Sequence, residues 1–106
     1  MDTSNLSIPQ ASIDEFCRHW KVTELSLFGS ILRDDFNADS DVDILLTFAP
    51  DAHWSLFDLV DMKEALTELF GRKVDVVTRR GLESSRNHRL RHEILSTAQA
   101  IHRDAA

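Results

Sequence analysis

Val22-Thr23-Glu24-Leu25-Ser26-Leu27-Phe28-Gly29-Ser30 and, ten residues later, Asp41-Val42-Asp43-Ile44-Leu45-Leu46-Thr47-Phe48 form the stretch that decides the fold. Leu25 and Leu27 alternate with Glu24 and Ser26, which predicts a strand over Val22 to Phe28. Gly29-Ser30 ends that strand, and Ile31 to about Phe36 is predicted as a short helix leaving the turn. Asn37 to Ser40 is turn chemistry. Asp41 to Phe48 is predicted as a second strand, stopped by Ala49-Pro50-Asp51.

On the N-terminal side, residues 1–11 lack periodicity and contain Pro9, which predicts an irregular lead-in. Ser12-Ile13-Asp14-Glu15 has the capping-box pattern, and Ile13, Phe16, Cys17 and Trp20 follow at helical spacing. A first helix of about 9 residues is expected. On the C-terminal side, Ser55 is placed to cap a long helix with the face Leu56, Leu59, Met62, Leu66, Leu69 and Phe70, closed by Gly71. Arg72 to Thr78 is predicted as a third strand and Arg79-Arg80-Gly81 as a loop. Ser84 or Ser85 is expected to cap a last helix carrying Leu90, Ile94, Ala98 and Ile101. The order is α-β-α-β-α-β-α: an α/β fold with a small mixed sheet and flanking helices, in a single domain over residues 1–106.

Hydrophobic residues at 42% and charged residues at 28% are ordinary for a globular chain that buries one core. No apolar run approaches the roughly 20 residues that would span a bilayer, so no membrane association is expected. Met1-Asp2-Thr3-Ser4-Asn5 carries no signal-peptide pattern, and Cys17, the only cysteine, forms no internal disulfide. A cytoplasmic location is the expectation. The net charge of −6 is unevenly spread. Residues 1–71 hold 14 of the 18 acids and 4 of the 12 bases, whereas residues 72–106 hold the remaining 8 bases and 4 acids. An acidic front half opposes direct nucleic-acid binding, because phosphate backbones are gripped by clustered Lys and Arg. It suits metal binding, anion binding on the basic side, or a charged protein partner.

Asp41 and Asp43 lie two apart on the second strand, so both carboxylates project from one face while Val42 and Ile44 point into the core. Adjacent carboxylates repel and resist desolvation, and a hard cation such as Mg²⁺ or Mn²⁺ between them removes both problems. Two incidental acids on a solvent-facing edge is the plain alternative. Asp75, in Lys73-Val74-Asp75-Val76-Val77, reaches the same side if its strand lies beside the second. Three such carboxylates are what two metal ions about 3.5–4 Å apart require. A calcium loop begun at Asp39 fails, since its glycine position would be Ile44 and its glutamate position Pro50.

Gly29 permits a tight turn and a close backbone approach to a ligand. Ser30 adds a hydroxyl, and the helix start behind it favours a phosphate. An ordinary strand-to-helix turn would look the same. With Gly29, Gly71 and Gly81 as the only glycines, neither a Walker loop nor a dinucleotide fingerprint can be assembled.

Taken together, Leu27-Phe28-Gly29-Ser30, Arg33, and Ser40-Asp41-Val42-Asp43-Ile44-Leu45 resemble the G-S-x10-D-x-D signature of the DNA polymerase beta-like nucleotidyltransferase superfamily. Asp75 falls where that superfamily places its third carboxylate, and the length is similar to its minimal nucleotidyltransferase (MNT) branch. Asp34, where the family often has glycine, is a departure. Many members of the branch are MntA-type antitoxins paired with a HEPN-domain toxin ribonuclease. The resemblance implies transfer of AMP from ATP to a tyrosine hydroxyl of that toxin, with two Mg²⁺ ions or Mn²⁺. It implies Asp41, Asp43 and Asp75 as catalytic metal ligands and Gly29 and Ser30, with Asp41 and Asp43, as the nucleotide site. An antitoxin that neutralises by binding alone is the competing function; the intact carboxylate set favours the enzyme. A catalytic lobe acting on an antibiotic or a nucleic acid would need an acceptor domain for which this length leaves no room.

Other residues read more plainly. Arg33 has Asp34, Asp35 and Asp39 close by and suits a local ion pair better than a phosphate. His88 and His92, four apart on the last helix, share a solvated face. Arg79, Arg80, Arg86, Arg89 and Arg91 are either a solvated face or a grip for triphosphate or an acidic partner. Cys17 and Trp20 read as core, with Trp54 partly exposed.

Overall fold

Leu25, Ser26, Leu27 and Phe28 are all buried, so the strand that holds them needs a neighbour on each edge and cover on each face. The computed structural model, which describes residues 9–29 and 41–103, supplies all four. Helix α1 (Gln10–Trp20) leads into strand β1 (Val22–Phe28) and then, beyond residues 30–40, strand β2 (Val42–Phe48). Helix α2 (Leu56–Phe70), strand β3 (Val74–Thr78), helices α3 (Arg79–Glu83) and α4 (His88–Thr97), and strand β4 (Gln99–Arg103) follow. The sheet order is β3-β2-β1-β4. β1 runs antiparallel to β2 and to β4, and β2 runs parallel to β3 across α2, so the sheet is mixed.

Strand alternation sorts the side chains into two layers. Val22, Leu25 and Leu27 of β1, Val42, Ile44 and Leu46 of β2, and Val74 of β3 face Ile13, Phe16 and Cys17 of α1 and Met62, Leu66 and Phe70 of α2. On the opposite face a smaller cluster joins Phe28 and Leu45 to Leu82 of α3 and Ile94 of α4. The loop between β2 and α2 is pinned by Trp54, whose Nε1 donates to the Trp20 carbonyl at 3.0 Å. The two indoles meet edge to face, centroids 5.1 Å apart. Such a ring pair contributes about 1 kcal/mol beyond its burial.

Ser55 caps α2 as expected: its hydroxyl accepts from Asp58 N while the Asp58 carboxylate accepts from Ser55 N at 2.8 Å. Gly71 closes the helix at φ 68°.

Five expectations are corrected. Helix α1 starts at Gln10, ahead of the expected Ser12 cap, with Pro9 before it and no side-chain cap. Its first turn is tied instead by Gln10, which donates to Asp14 Oδ1 and to the Ile101 carbonyl. Residues 79–83, expected as a loop, form α3, because Thr78 Oγ1 accepts from Gly81 N and opens a helical turn. Helix α4 is capped by Asn87, not Ser84 or Ser85, through Leu90 N to Asn87 Oδ1 at 3.0 Å. It stops at Thr97, so Ile101 lies on β4 and not on the last helix, and the order gains a helix and a strand. Leu56, expected on the buried face of α2, is 75% exposed, since contact with the sheet begins further along the helix at Leu59 and Met62. The expected helix over residues 31–36 and the turn at 37–40 lie outside the described residues.

Among the described residues no helix is long and apolar enough to cross a membrane.

Candidate nucleotide and metal site

Parallel pairing of β2 with β3 sets Val42 opposite Val74, Asp43 opposite Asp75 and Ile44 opposite Val76. Paired residues on neighbouring strands project to the same face, with backbones about 4.8 Å apart. Val42, Ile44 and Val74 fill the α1–α2 core, so Asp43 and Asp75 stand together on the other face. The same register carries back to Asp41, whose neighbour on the β3 side is Lys73: Val42 N donates to the Lys73 carbonyl at 3.0 Å.

Gly29 completes the geometry from the end of β1. Phe28 pairs with Asp43 across the antiparallel ladder, and the chain then turns at Gly29 with φ 73°. The Asp43 carboxylate lies against the Gly29 α-carbon: a Cβ there would collide with Asp43 Oδ2 and sit 3.1 Å from Asp43 Cγ. Glycine is required twice over, by the left-handed backbone and by the space. Ser30, the expected phosphate-binding hydroxyl, lies outside the described residues, as do Arg33 and Asp34.

Two lysines attend the carboxylates. Lys63 Nζ of α2 stands 4.0 Å from Asp75 Oδ1, and Lys73 Nζ stands 3.9 Å from Asp41 Oδ2. These pairs are long and half exposed, worth at most about 1 kcal/mol each, so neither lysine would hold its carboxylate against a stronger cation. Sequence reasoning did not single out either lysine. Lys73 was legible in principle, since the β2–β3 register that pairs Asp43 with Asp75 also sets Lys73 beside Asp41. Lys63 was not, because its position depends on how α2 packs along β3.

The structure therefore brings Gly29, Asp43 and Asp75 to one place, with Asp41 two residues ahead of Asp43, just before β2 begins. Among the described residues, no three Asp, Glu, His or Cys side chains yet converge closely enough to hold a metal ion as they stand. The donor chemistry nevertheless fits a hard divalent cation: carboxylates from adjacent strands, on one face, balanced by loosely held lysines. A cleft of about 370 Å³, lined by Phe48, Trp54, Leu59, Arg79 and Arg80 among others, is a separate feature. It lies at the far ends of β2 and β3, and none of the four site residues lines it. The acid cluster is the better functional candidate, because paired carboxylates beside a close-approach glycine suit metal and phosphate chemistry, whereas the cleft mixes apolar side chains with Arg79, Arg80 and Glu83.

Comparison with known proteins agrees with this geometry. The family model described as "Nucleotidyltransferase domain" matches residues 11–101. The protein adenylyltransferase MntA of Thermococcus cleftensis is 37% identical over 78 residues, covering 74% of this chain and 77% of that protein. A Methanocaldococcus jannaschii protein, provisionally named a protein adenylyltransferase, is 44% identical over 57 residues, covering 54% of this chain and 59% of its own. Among solved structures, one provisionally named a minimal nucleotidyltransferase superposes with a TM-score of 0.69 at 32% identity, covering 93% of this chain and 95% of that one. A toxin–antitoxin crystal structure with AMP-PNP shares the fold, with a TM-score of 0.69 at 19% identity over 92% of this chain and 76% of that one. The chain belongs to the nucleotidyltransferase domain family.

Proposed function

We propose that the chain is a protein adenylyltransferase that moves AMP from ATP to a hydroxyl, by choice a tyrosine hydroxyl, of a HEPN-domain toxin ribonuclease and so acts as its antitoxin. The observation that carries the reading is the Asp43–Asp75 pairing with Gly29 against Asp43. The relatives named as adenylyltransferases and the toxin–antitoxin neighbours support the substrate and the partner. Because the reaction consumes ATP, we place it in the cytoplasm.

Asp41, Asp43 and Asp75 would hold Mg²⁺, two ions or Mn²⁺ in its place. Bound there, the metal supplies charge neutralisation of the triphosphate and polarisation of the α-phosphate. The chain's own groups do the rest. Gly29, with Ser30 behind it, lets the triphosphate approach the backbone, and Asp41 and Asp43, by holding the cation, would set the α-phosphorus beside Asp75. The acceptor oxygen attacks that phosphorus in line, the bond to the β-phosphate oxygen breaks, and pyrophosphate leaves with the bonding pair. The acceptor proton passes to the Asp75 carboxylate, and Lys63, beside Asp75, offsets the local charge.

The chain contains no tyrosine, so transfer to tyrosine is necessarily to another molecule. Incubation with a HEPN-domain protein encoded beside it, ATP and Mg²⁺ is expected to add AMP to that protein, read by intact-protein mass spectrometry. Asp43→Asn should lower the yield at least 100-fold, the scale of losing a charged catalytic group. Neutralisation of the toxin with no mass change, and with Asp43→Asn equally effective, would mean an antitoxin that works by binding alone.

A further inference from the structure

Among the described residues, three of the five exposed large apolar side chains fall within five residues of one helix: Leu56 at 75%, Phe57 at 83% and Val60 at 49%. They occupy the first turns of α2, on the side turned away from Met62, Leu66 and Phe70. Leaving such side chains in water is unfavourable, and clustered exposure of this kind marks an interaction surface. The stripe continues with a different chemistry. Phe57, Asp61, Glu64 and Glu68 follow at i, i+4, i+7 and i+11, one face of the helix, and all are exposed. Among the described residues no ion pair joins Asp61, Glu64 or Glu68 to a base. Beside the apolar end, Leu59 of the same helix lines the cleft with Trp54 and Phe48, so the exposed patch borders a cleft whose lining mixes these apolar side chains with Arg79, Arg80 and Glu83.

An apolar tip followed by an acidic stripe is complementary to a helix that presents an apolar anchor followed by Lys and Arg. We infer that this face of α2 is the docking surface for such a basic, apolar-anchored helix of the partner protein. The inference rests on the proposed partnership with a toxin ribonuclease, whose RNA-binding chemistry calls for basic surface, and it assigns the face that meets it. A second copy of this chain is a poorer occupant. A twofold contact through this face would lay Asp61, Glu64 and Glu68 against their own symmetry mates, and a head-to-tail contact would not close into a dimer. None of these residues belongs to the carboxylate site, and Lys63 of the same helix reaches Asp75 at 4.0 Å.

The test uses titration calorimetry of the full chain against the HEPN-domain protein encoded beside it. Phe57→Ser with Val60→Ser should weaken binding about 30-fold or more, the scale of an interfacial anchor. Asp61→Asn, Glu64→Gln and Glu68→Gln together should weaken it several-fold and flatten its salt dependence. Both variants change exposed positions, and each should keep the thermal shift that ATP with Mg²⁺ gives the wild type, which shows that fold and nucleotide site are intact. Wild-type binding that neither variant weakens overturns the docking face and leaves the proposed function standing. No binding by the wild type overturns the partnership itself, and the docking face with it. Concentration-dependent self-association of the chain alone, abolished by Phe57→Ser with Val60→Ser, would assign the face to a second copy and overturn the inference as well.

Discussion

At position 29 the backbone turns left-handed with the Asp43 carboxylate pressed against it, so the residue can be neither larger nor differently turned. Gly29→Ala is expected to cost roughly 1–2 kcal/mol of stability for the backbone conformation alone. The larger effect should fall on chemistry, because the new methyl group can be accommodated only if Asp43 leaves its place opposite Asp75. A loss of AMP transfer well beyond the loss of folded protein, compared with Gly71→Ala, would separate the two. Gly71 has the same handedness, and a Cβ there meets nothing within 4 Å, so it controls for the backbone cost. If both variants lose stability and activity in equal measure, the contact between Gly29 and Asp43 has no catalytic consequence. This residue pair was legible in the sequence only as a spacing. The Gly29 and Asp43 positions could be named from it, but not the fact that one is carved to fit the other.

Among the strands, β4 is the one that local reasoning could not find. Ile94, Ala98 and Ile101 recur at helical spacing, and nothing in Gln99-Ala100-Ile101-His102-Arg103 announces a strand. What decides its conformation is the open edge of β1, whose consecutive buried residues demand a second neighbour, so tertiary pairing overrides the local period. Strands β1, β2 and β3 were legible because their apolar runs end in glycine, proline or charge; α3 and the Asn87 cap were hidden among competing polar residues. The same late strand is tied to α1. His102 Nδ1 donates to Asp14 Oδ1 at 2.8 Å, an ionised carboxylate being able only to accept, and Gln10 donates to the same oxygen. The hydrogen bond from His102, then that from Gln10, holds the Asp14 carboxyl below its ordinary value of 3.8. A depressed carboxyl contributes stability above its unfolded value and loses it as pH falls through the folded one. Asp14→Asn, which keeps an acceptor and removes the charge, should therefore lower the melting temperature at pH 6 and make progressively less difference below pH 4. A gap of constant size across that range would mean that the charge on Asp14 plays no part in holding β4 to α1.

On the scale of the whole molecule, the sheet is closed on one face by α1 and α2 and on the other by the smaller α3–α4 cluster, with the carboxylates at its margin. Cys17 sits in the larger layer, 1% exposed between α1 and the sheet. Burial, and secondarily the nearby Asp14 charge, pushes its thiol up to about 12. The thiolate is the reactive form, so at pH 8 the folded protein offers a disulfide reagent neither access nor a nucleophile. Each labelling event has to wait for α1 to lift. Labelling by a disulfide reagent at pH 8 should accordingly run at least 1,000-fold slower than for the unfolded chain, the scale of a marginally stable domain, and should quicken in Asp14→Asn. Labelling at the unfolded rate in native buffer would place Cys17 outside the core. The lone thiol, with no part in catalysis, thus becomes a clock: its modification rate counts how often the helix that carries Asp14 comes undone.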